Sequence, residues 1–348
     1  MDCKPCALST DSSCFPQGQI GYALLPLLAN GQVFGPKTKV HLRLLDIEQA
    51  KEALRGVAME LEDGGYTTLG SVMYTSDPEV ALKGADVAIF VGGFPRKQGM
   101  ERKDLIAVNS KIFVAQGKAL EKVASKNCKV LVVANPANTN CLLLRMNAPS
   151  LPAENFTCLT FLDHNRARAQ LSMKASVPIE NIFRVAIFGN HSATQVPDAF
   201  NAVVKNPATG STDLISKLVN DDKFLKTSFI KTVQQRGKAI IDARKQSSAM
   251  SAANAIADHV RTWLVTGTRQ GDTVSMGVYT SKNWYGIKKD LIFSFPVRIE
   301  KPGEWTVDET FQLDDDMKKL VSLTQKELEE ERDEALEALK QQQQQAKL

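Results

Sequence analysis

His191 stands in Gly189-Asn190-His191-Ser192, directly after the apolar run 182–188. Histidine is the side chain whose charge changes near neutral pH, which suits it to exchange a proton with an alcohol or a carbonyl. A carboxylate behind the ring would fix its tautomer and stabilise the imidazolium. Leu162-Asp163-His164-Asn165-Arg166 offers one, Asp163. A third group is Gly93-Phe94-Pro95-Arg96-Lys97-Gln98-Gly99-Met100-Glu101-Arg102-Lys103-Asp104, with two arginines six apart after a strand. Arginine donates two parallel hydrogen bonds to a carboxylate, and a glycine-hinged loop at a strand end makes a natural lid. Each group also has a plainer reading. A lone histidine is more often structural, Asp163 and Arg166 three apart form an ordinary helical ion pair, and a basic loop is usually just solvated. Together, near strand ends and helix starts, they are harder to dismiss.

Asp46 closes another apolar strand, 40–45. In that place a carboxylate can accept hydrogen bonds from the ribose diol of an adenine dinucleotide and repel a 2′-phosphate, or it can simply cap a helix. A dinucleotide site also needs a strand, a glycine-rich turn and a helix in sequence. Phe15-Pro16-Gln17-Gly18-Gln19-Ile20-Gly21 supplies the last two glycines in register, opening a helix. The first glycine is replaced by Pro16 in the strict spacing, or by Phe15 with one more residue. Residues 3–14, with Pro5, Ser9, Asp11, Ser12 and Ser13, give no recognisable buried strand ahead of the turn.

The scaffold expected around these groups alternates strands and helices. Helices are expected over 19–29, 49–62 and 103–125, and strands over 40–45, 85–91 and 129–134, the last stopping at Asn135-Pro136. Nearly continuous Val, Ile and Leu runs spaced by helices indicate a parallel sheet covered on both faces, with ligands at the strands' C-terminal ends. Beyond about residue 155 the pattern is mixed. An apolar stretch at 157–162 leads to a helix over 164–175 and a strand over 182–188. Residues 223–259 read as largely helical, 267–281 and 293–297 as strand-like, and 314–340 as a long charged helix. The glutamines of 341–345 are expected to fray.

Composition sets outer limits. The chain has 348 residues, 43% hydrophobic and 24% charged, enough for one large or two medium domains and too apolar for disorder. The 43 basic and 39 acidic residues leave a charge of +4 without a basic stripe, so no nucleic-acid partner is expected. No run reaches the ~20 apolar residues that span a bilayer, so no membrane partner is expected either. The six cysteines are too scattered for a disulfide scaffold, and Cys3-x-x-Cys6 lacks a second pair, so no metal is expected. The N-terminus reads as neither a secretory signal nor a mitochondrial presequence. The C-terminal Ala346-Lys347-Leu348 is one substitution from a Ser-Lys-Leu peroxisomal address, an alternative to a cytoplasmic location.

Taken in order, Arg96-x5-Arg102, Asn135-Pro136-Ala137-Asn138-Thr139-Asn140, Leu162-Asp163-His164-Asn165-Arg166, Gly189-Asn190-His191-Ser192 and Arg244-Lys245-Gln246-Ser247-Ser248-Ala249-Met250-Ser251-Ala252-Ala253 resemble the cytosolic-type malate dehydrogenases of the lactate/malate dehydrogenase superfamily. The likeness runs over roughly residues 17–340. It implies a Rossmann-type doubly wound parallel sheet over 1–155, a mixed α/β substrate domain over 156–340 and a tail over 341–348. It implies reversible hydride transfer between malate and NAD, giving oxaloacetate and NADH, by a soluble cytoplasmic homodimer of malate metabolism. In that scheme His191 is the acid/base, oriented by Asp163, and Arg96, Arg102, Arg166 and Asn135 hold the dicarboxylate. NAD would meet Gly18, Gln19, Ile20, Gly21, Asp46, Asn109, Gln116 and Asn135, and the backbone of Val133 and Ala134. Lactate enzymes carry Gln where Arg96 stands, so arginine favours a dicarboxylate. The departure is Phe15. A bulky residue in a left-handed turn costs roughly 1–2 kcal/mol and would crowd the pyrophosphate. That leaves two alternatives open: a cofactor-impaired, non-catalytic homologue, or a dehydrogenase of another 2-hydroxy acid.

Overall fold

A computed structural model describes residues 3–9, 18–94 and 101–345, with only the backbone of 3–9 and of Arg102, Gln342, Gln343 and Gln345. Phe15, Pro16, Arg96 and the Ala346-Lys347-Leu348 ending lie outside the described residues.

The core is a nine-stranded sheet. Six strands run parallel: β1 (Cys3–Ser9), β2 (Lys39–Leu45), β3 (Leu69–Thr75), β4 (Val87–Phe90), β5 (Lys129–Val132) and β6 (Phe156–Cys158). Their order across the sheet is 3-2-1-4-5-6, the doubly wound arrangement whose ligand crevice opens where the order reverses, beside β1 and β4. Val87, Ala88, Ile89 and Phe90 are all buried, as a strand with both faces covered requires. Helices α1 (Gln19–Ala29), α2 (Lys51–Asp63), α3 (Pro78–Leu82), α4 (Arg102–Val123) and α5 (Ala137–Asn147) link and cover these strands, and α6 (Phe161–Ala175) follows β6.

The later chain makes the short strands β7 (Ile182–Phe183), β8 (Ala186–Phe188), β9 (Val196–Asp198), β10 (Val203–Lys205) and β11 (Thr212–Leu214), then α7 (Ile215–Val219), α8 (Ile230–Arg244) and α9 (Met250–Arg261). It returns to the main sheet as β12 (Val274–Tyr279), β13 (Ile292–Arg298) and β14 (Thr306–Val307), which add antiparallel beside β6. It ends in α10 (Asp315–Gln345).

Four expectations need correcting or, for the largely helical 223–259, refining. β1 exists, and it is central. It pairs with β2 from Cys3↔Lys39 to Ser9↔Leu45, and with β4 only from Cys6↔Val87 onward. Pro5, which has no N–H, therefore precedes the second ladder and sits where one-sided pairing tolerates it. The segment 182–188 is two strands, because Arg184 adopts φ +57° between them. The helical stretch 223–259 is broken at Lys245, φ +59°, after a π-helical turn at Phe224–Phe229. Finally, 341–345 continues α10 as helix, as glutamine's good helix propensity allows.

Two histidines sit in the middle of the core. His259 Nε2 lies 3.2 Å from Thr157 Oγ1, and His164 Nδ1 lies 3.0 Å from Ser275 Oγ. The Phe161 ring packs against both, at 6.0 and 5.5 Å between centroids. Burial drives the His259 pKa down to about 3. It also drives His164 well below its ordinary value, with Arg168 and Arg269 pushing the same way. Both rings are therefore neutral when folded, and the unfolded chain takes up their protons below about pH 6.5. Stability is expected to fall from pH 6.5 towards pH 4, by up to about 1.4 kcal/mol per pH unit for each ring. Urea midpoints for the protein and for His259→Asn should give a shallower pH slope for the variant. Equal slopes would count against this account.

Candidate active site

The site lies at the C-terminal ends of the parallel strands. β8 is followed by Gly189, whose N–H and carbonyl bridge to Ser294 on β13 at 3.1 and 2.9 Å. This fixes the chain two residues before His191. On the other side, the His191 N–H donates to Asn138 Oδ1 at 2.9 Å, and Asn138 Nδ2 donates to the Ile292 carbonyl at 2.9 Å.

Asp163 occupies the first turn of α6, where the positive end of the helix dipole favours an anion. It is fully buried. Its Oδ2 accepts from His191 Nδ1 at 2.5 Å, and its Oδ1 accepts from Arg166 Nη1 at 3.0 Å. The Asp163–Arg166 pair is therefore not the surface ion pair of the plainer reading. It is one arm of a chain of three ionisable groups, half-buried at Arg166 and His191 and fully buried at Asp163. Burial opposes the Asp163 charge. His191, by its charge and hydrogen bond, Arg166 and a hydrogen bond from Gln195 outweigh burial and hold the carboxyl below its usual range. For His191, burial disfavours the imidazolium and Arg166 adds to that. The Asp163 carboxylate, by charge and hydrogen bond, overcomes both and raises the pKa. With Nδ1 given to Asp163, Nε2 is the atom that takes or gives a proton.

Arg166 keeps its other arm, Nη2, 3.4 Å from Ser248 Oγ in the turn between α8 and α9. Gln246 of the same turn accepts from Gln19 Nε2 at 2.8 Å. Asn135 is exposed at the end of β5, before a cis peptide bond to Pro136. Arg102 begins α4, and Arg96 lies outside the described residues. The geometry thus joins His191, Asp163 and Arg166, while Arg96 and the side chain of Arg102 lie outside the described residues.

The residues expected to meet a dinucleotide lie just past β2 and β5, at the start of α1 and on α4. Asp46 is nearly buried after β2, and its Oδ1 accepts the Ile47 N–H at 2.8 Å. Gly18 opens α1, and no side chain among the described residues caps that helix. The first-turn N–H groups of Gln19, Ile20 and Gly21 have no intrahelical acceptor, which suits a phosphate. At Gly93, past β4, a Cβ would stand 2.9 Å from Asn109 Oδ1 and 3.0 Å from Ala134 Cβ, so any larger residue would push one of these side chains aside. A carboxylate for a diol, a bare helix N-terminus and a glycine-lined strand exit fit an adenine dinucleotide.

Other expected contacts have work inside the protein. Asn109 Oδ1 accepts the Phe94 N–H at 2.8 Å, and its Nδ2 donates to the carbonyls of Phe94 and Leu105 at 3.1 and 3.2 Å. That ties Phe94 to α4. The N–H groups of Val133 and Ala134 both reach the Phe90 carbonyl. Gln116 follows Asn109 by two turns on α4, on the same face. Among the described residues, no group of three or more His, Cys, Asp or Glu could hold a metal ion.

Sequence reasoning missed Asn138 as a support for His191, although it lies inside the motif 135–140. It also missed Thr324, Glu327 and Glu331 on α10, which read as part of a charged, solvated helix. The available signal was the spacing. Val321, Thr324, Leu328, Glu331 and Ala335 fall on one stripe at steps of three and four, and all five are buried.

Comparison with known proteins agrees with this geometry. The family model for the lactate/malate dehydrogenase NAD binding domain matches residues 16–157, and the model for the alpha/beta C-terminal domain matches 160–339. The chain belongs to the lactate/malate dehydrogenase family. It is 51% identical over 315 residues to the cytoplasmic malate dehydrogenase of Medicago sativa, covering 90% of this chain and 93% of that one. The crystal structure of malate dehydrogenase from Naegleria fowleri superposes with a TM-score of 0.89 at 40% identity, over 97% of this chain and 99% of that one. Trichomonas vaginalis lactate dehydrogenase, in complex with NADH and oxamate, superposes with a TM-score of 0.90 at 36% identity, over 97% and 99%. The family thus places NAD-dependent dehydrogenases of both dicarboxylic and monocarboxylic acids on this scaffold.

Proposed function

We propose that this protein is an NAD-dependent malate dehydrogenase interconverting malate and oxaloacetate. The observation that carries the reading is the Arg166–Asp163–His191 chain at the strand ends. When bound, NAD supplies the acceptor for the hydrogen on the carbon bearing malate's hydroxyl. His191 Nε2 takes the hydroxyl proton as the alcohol becomes a carbonyl, and Asp163 stabilises the imidazolium that results. In the reverse direction the same proton returns to the carbonyl oxygen. Arg166 has one arm on Asp163, and we assign its guanidinium to a substrate carboxylate. Arg102 and Arg96 take the second carboxylate, and Asn135 touches substrate and cofactor. Asp46, the α1 N-terminus, Asn109, Gln116 and the backbone of Val133 and Ala134 hold NAD. In this scheme the cofactor half spans residues 1–155 and the substrate half 156–340.

Malate is favoured over lactate because a monocarboxylate would offer Arg96 and Arg102 no second carboxylate and would forgo the charged hydrogen bonds that a dicarboxylate makes. The test is NADH oxidation with oxaloacetate and with pyruvate. Arg96→Gln should shift the kcat/KM ratio towards pyruvate by about 10- to 150-fold, as loss of one charged carboxylate contact implies. An unchanged ratio would remove Arg96 from the substrate site.

We also assign the protein to the cytoplasm, as its Medicago relative is named, and to a homodimer. Met173 and Met250 are 63% and 82% exposed on α6 and α9, large apolar groups that a second copy would cover.

A further inference from the structure

We propose that α10 positions His191 for proton transfer, through the carboxylates of Glu331 and Glu327. The proposal rests on the reading of His191 as the acid/base.

The segment 189–194 lies along α10. The Asn190 N–H donates to Thr324 Oγ1 at 2.9 Å. Asn190 Nδ2 then donates to both carboxylates, to Glu327 Oε2 at 2.9 Å and to Glu331 Oε1 at 2.8 Å. The hydroxyls of Ser192 and Thr194 donate to the same Glu327 oxygen, each at 2.5 Å. The residues before and after His191 are therefore both fastened to one face of one helix.

Glu331 also reaches the other side of the histidine. Its Oε2 accepts the Thr139 hydroxyl at 2.5 Å. Thr139 follows Asn138 on α5, and Asn138 holds the His191 N–H. One carboxylate thus ties together the two segments that set where His191 stands. Asp163 then only has to meet a ring already in place.

Chemistry supports this assignment. Ionised carboxylates are acceptors only, and every partner named here is a donor. Such charge-assisted bonds are roughly twice as strong as neutral ones. Glu331 is 2% exposed and sits on the stripe that otherwise presents Val321, Leu328 and Ala335 to the core. An apolar residue would pack there without the cost of burying a charge. What it could not do is hold Asn190 and Thr139 at once.

Glu331→Ala is expected to lower kcat for malate oxidation by about 10- to 100-fold, the cost of a displacement of order 1 Å at a reacting group. NADH affinity, read by fluorescence, should stay within about twofold, since Asn190 and Thr139, which Glu331 holds, are not among the residues assigned to the cofactor. The acid limb of kcat/KM should also move to lower pH, because a looser contact with Asp163 lowers the His191 pKa. Glu331→Gln should restore most of the activity. Its amide oxygen can accept from Asn190, and its NH2 can donate to the Thr139 hydroxyl.

A merely structural role would lower the melting temperature and leave kcat per folded molecule and the acid limb unchanged. That result overturns the proposal. If Glu331→Ala does not fold, Ser192→Ala removes one half-buried donor to Glu327. It should lower kcat about threefold with the same displacement of the limb, and wild-type values for both would equally overturn the proposal. His191→Gln separates the two readings. If it turns over normally, the acid/base assignment falls and the positioning role with it. If it is inactive while Glu331→Ala behaves as wild type, only the positioning role falls.

Discussion

Asp163→Asn is expected to cut kcat by about three to four orders of magnitude in both directions, while NADH still binds. Asp163 divides its two oxygens between His191 Nδ1 and Arg166 Nη1. Asparagine has one oxygen and one NH2 for those places. If the oxygen faces Arg166, the NH2 faces Nδ1. The imidazole must then carry its proton on Nε2, where it cannot accept the substrate's. If the amide turns round, the NH2 meets a guanidinium that only donates. The first arrangement leaves the wrong tautomer for accepting a proton, and the second sets a buried donor against a donor. The His191 pKa, held up by the carboxylate against burial, should fall as well. The residual activity should therefore show its acid limb at lower pH. Stopped-flow rates for both directions with matched NADH titrations would check this. Activity within tenfold of wild type would mean that Asp163 does not orient the base.

Gly189→Ala should be the most destabilising exchange near the site, by about 2–5 kcal/mol. Gly189 adopts φ +98°, a conformation that costs an L-residue roughly 1–2 kcal/mol. A Cβ there would also lie 2.2 Å from Thr324 Cγ2 and 2.5 Å from its Oγ1, and forcing in an extra methyl typically costs a further 1–3 kcal/mol. Either Thr324 gives up the Asn190 N–H or β8 leaves its bridge to Ser294, and His191 moves in both cases. Thr324→Ser removes the offending methyl and keeps the hydroxyl. Gly189→Ala should then cost less in the Thr324→Ser background, by about 0.5–3 kcal/mol of coupling between touching groups. Denaturant melts of the four proteins complete the cycle. Additive effects would show that the clash is relieved elsewhere.

Much of this was legible in the residues. Helix α1 runs over Gln19–Ala29 as expected, and Asp163 and His191 meet as their types suggested. Strands that are apolar throughout, such as β4, announced a sheet covered on both faces. β1 was not legible. Its place depends on partners far along the chain, and the ladder to β4 starts after the proline that made it look unfit. β3 escaped for a different reason: as an edge strand it buries little, so Leu69–Thr75 shows no apolar pattern to read. The supports of the site were hidden for a third reason. Glu331 is a charge at a core position, and composition alone counts it among the solvated charges of α10. Only the stripe of its neighbours betrays it.

The antiparallel return of β12, β13 and β14 to the edge of β6 has a mechanical consequence. Strands from the first and last thirds of the chain share one hydrogen-bonded floor, and Asp163 and His191 both rise from it or are bridged to it. Such a floor has no seam along which two lobes could swing apart. The distance between proton acceptor and orienting carboxylate is therefore set by the stiffness of a sheet, and closure around a substrate falls to the connections at its carboxyl rim.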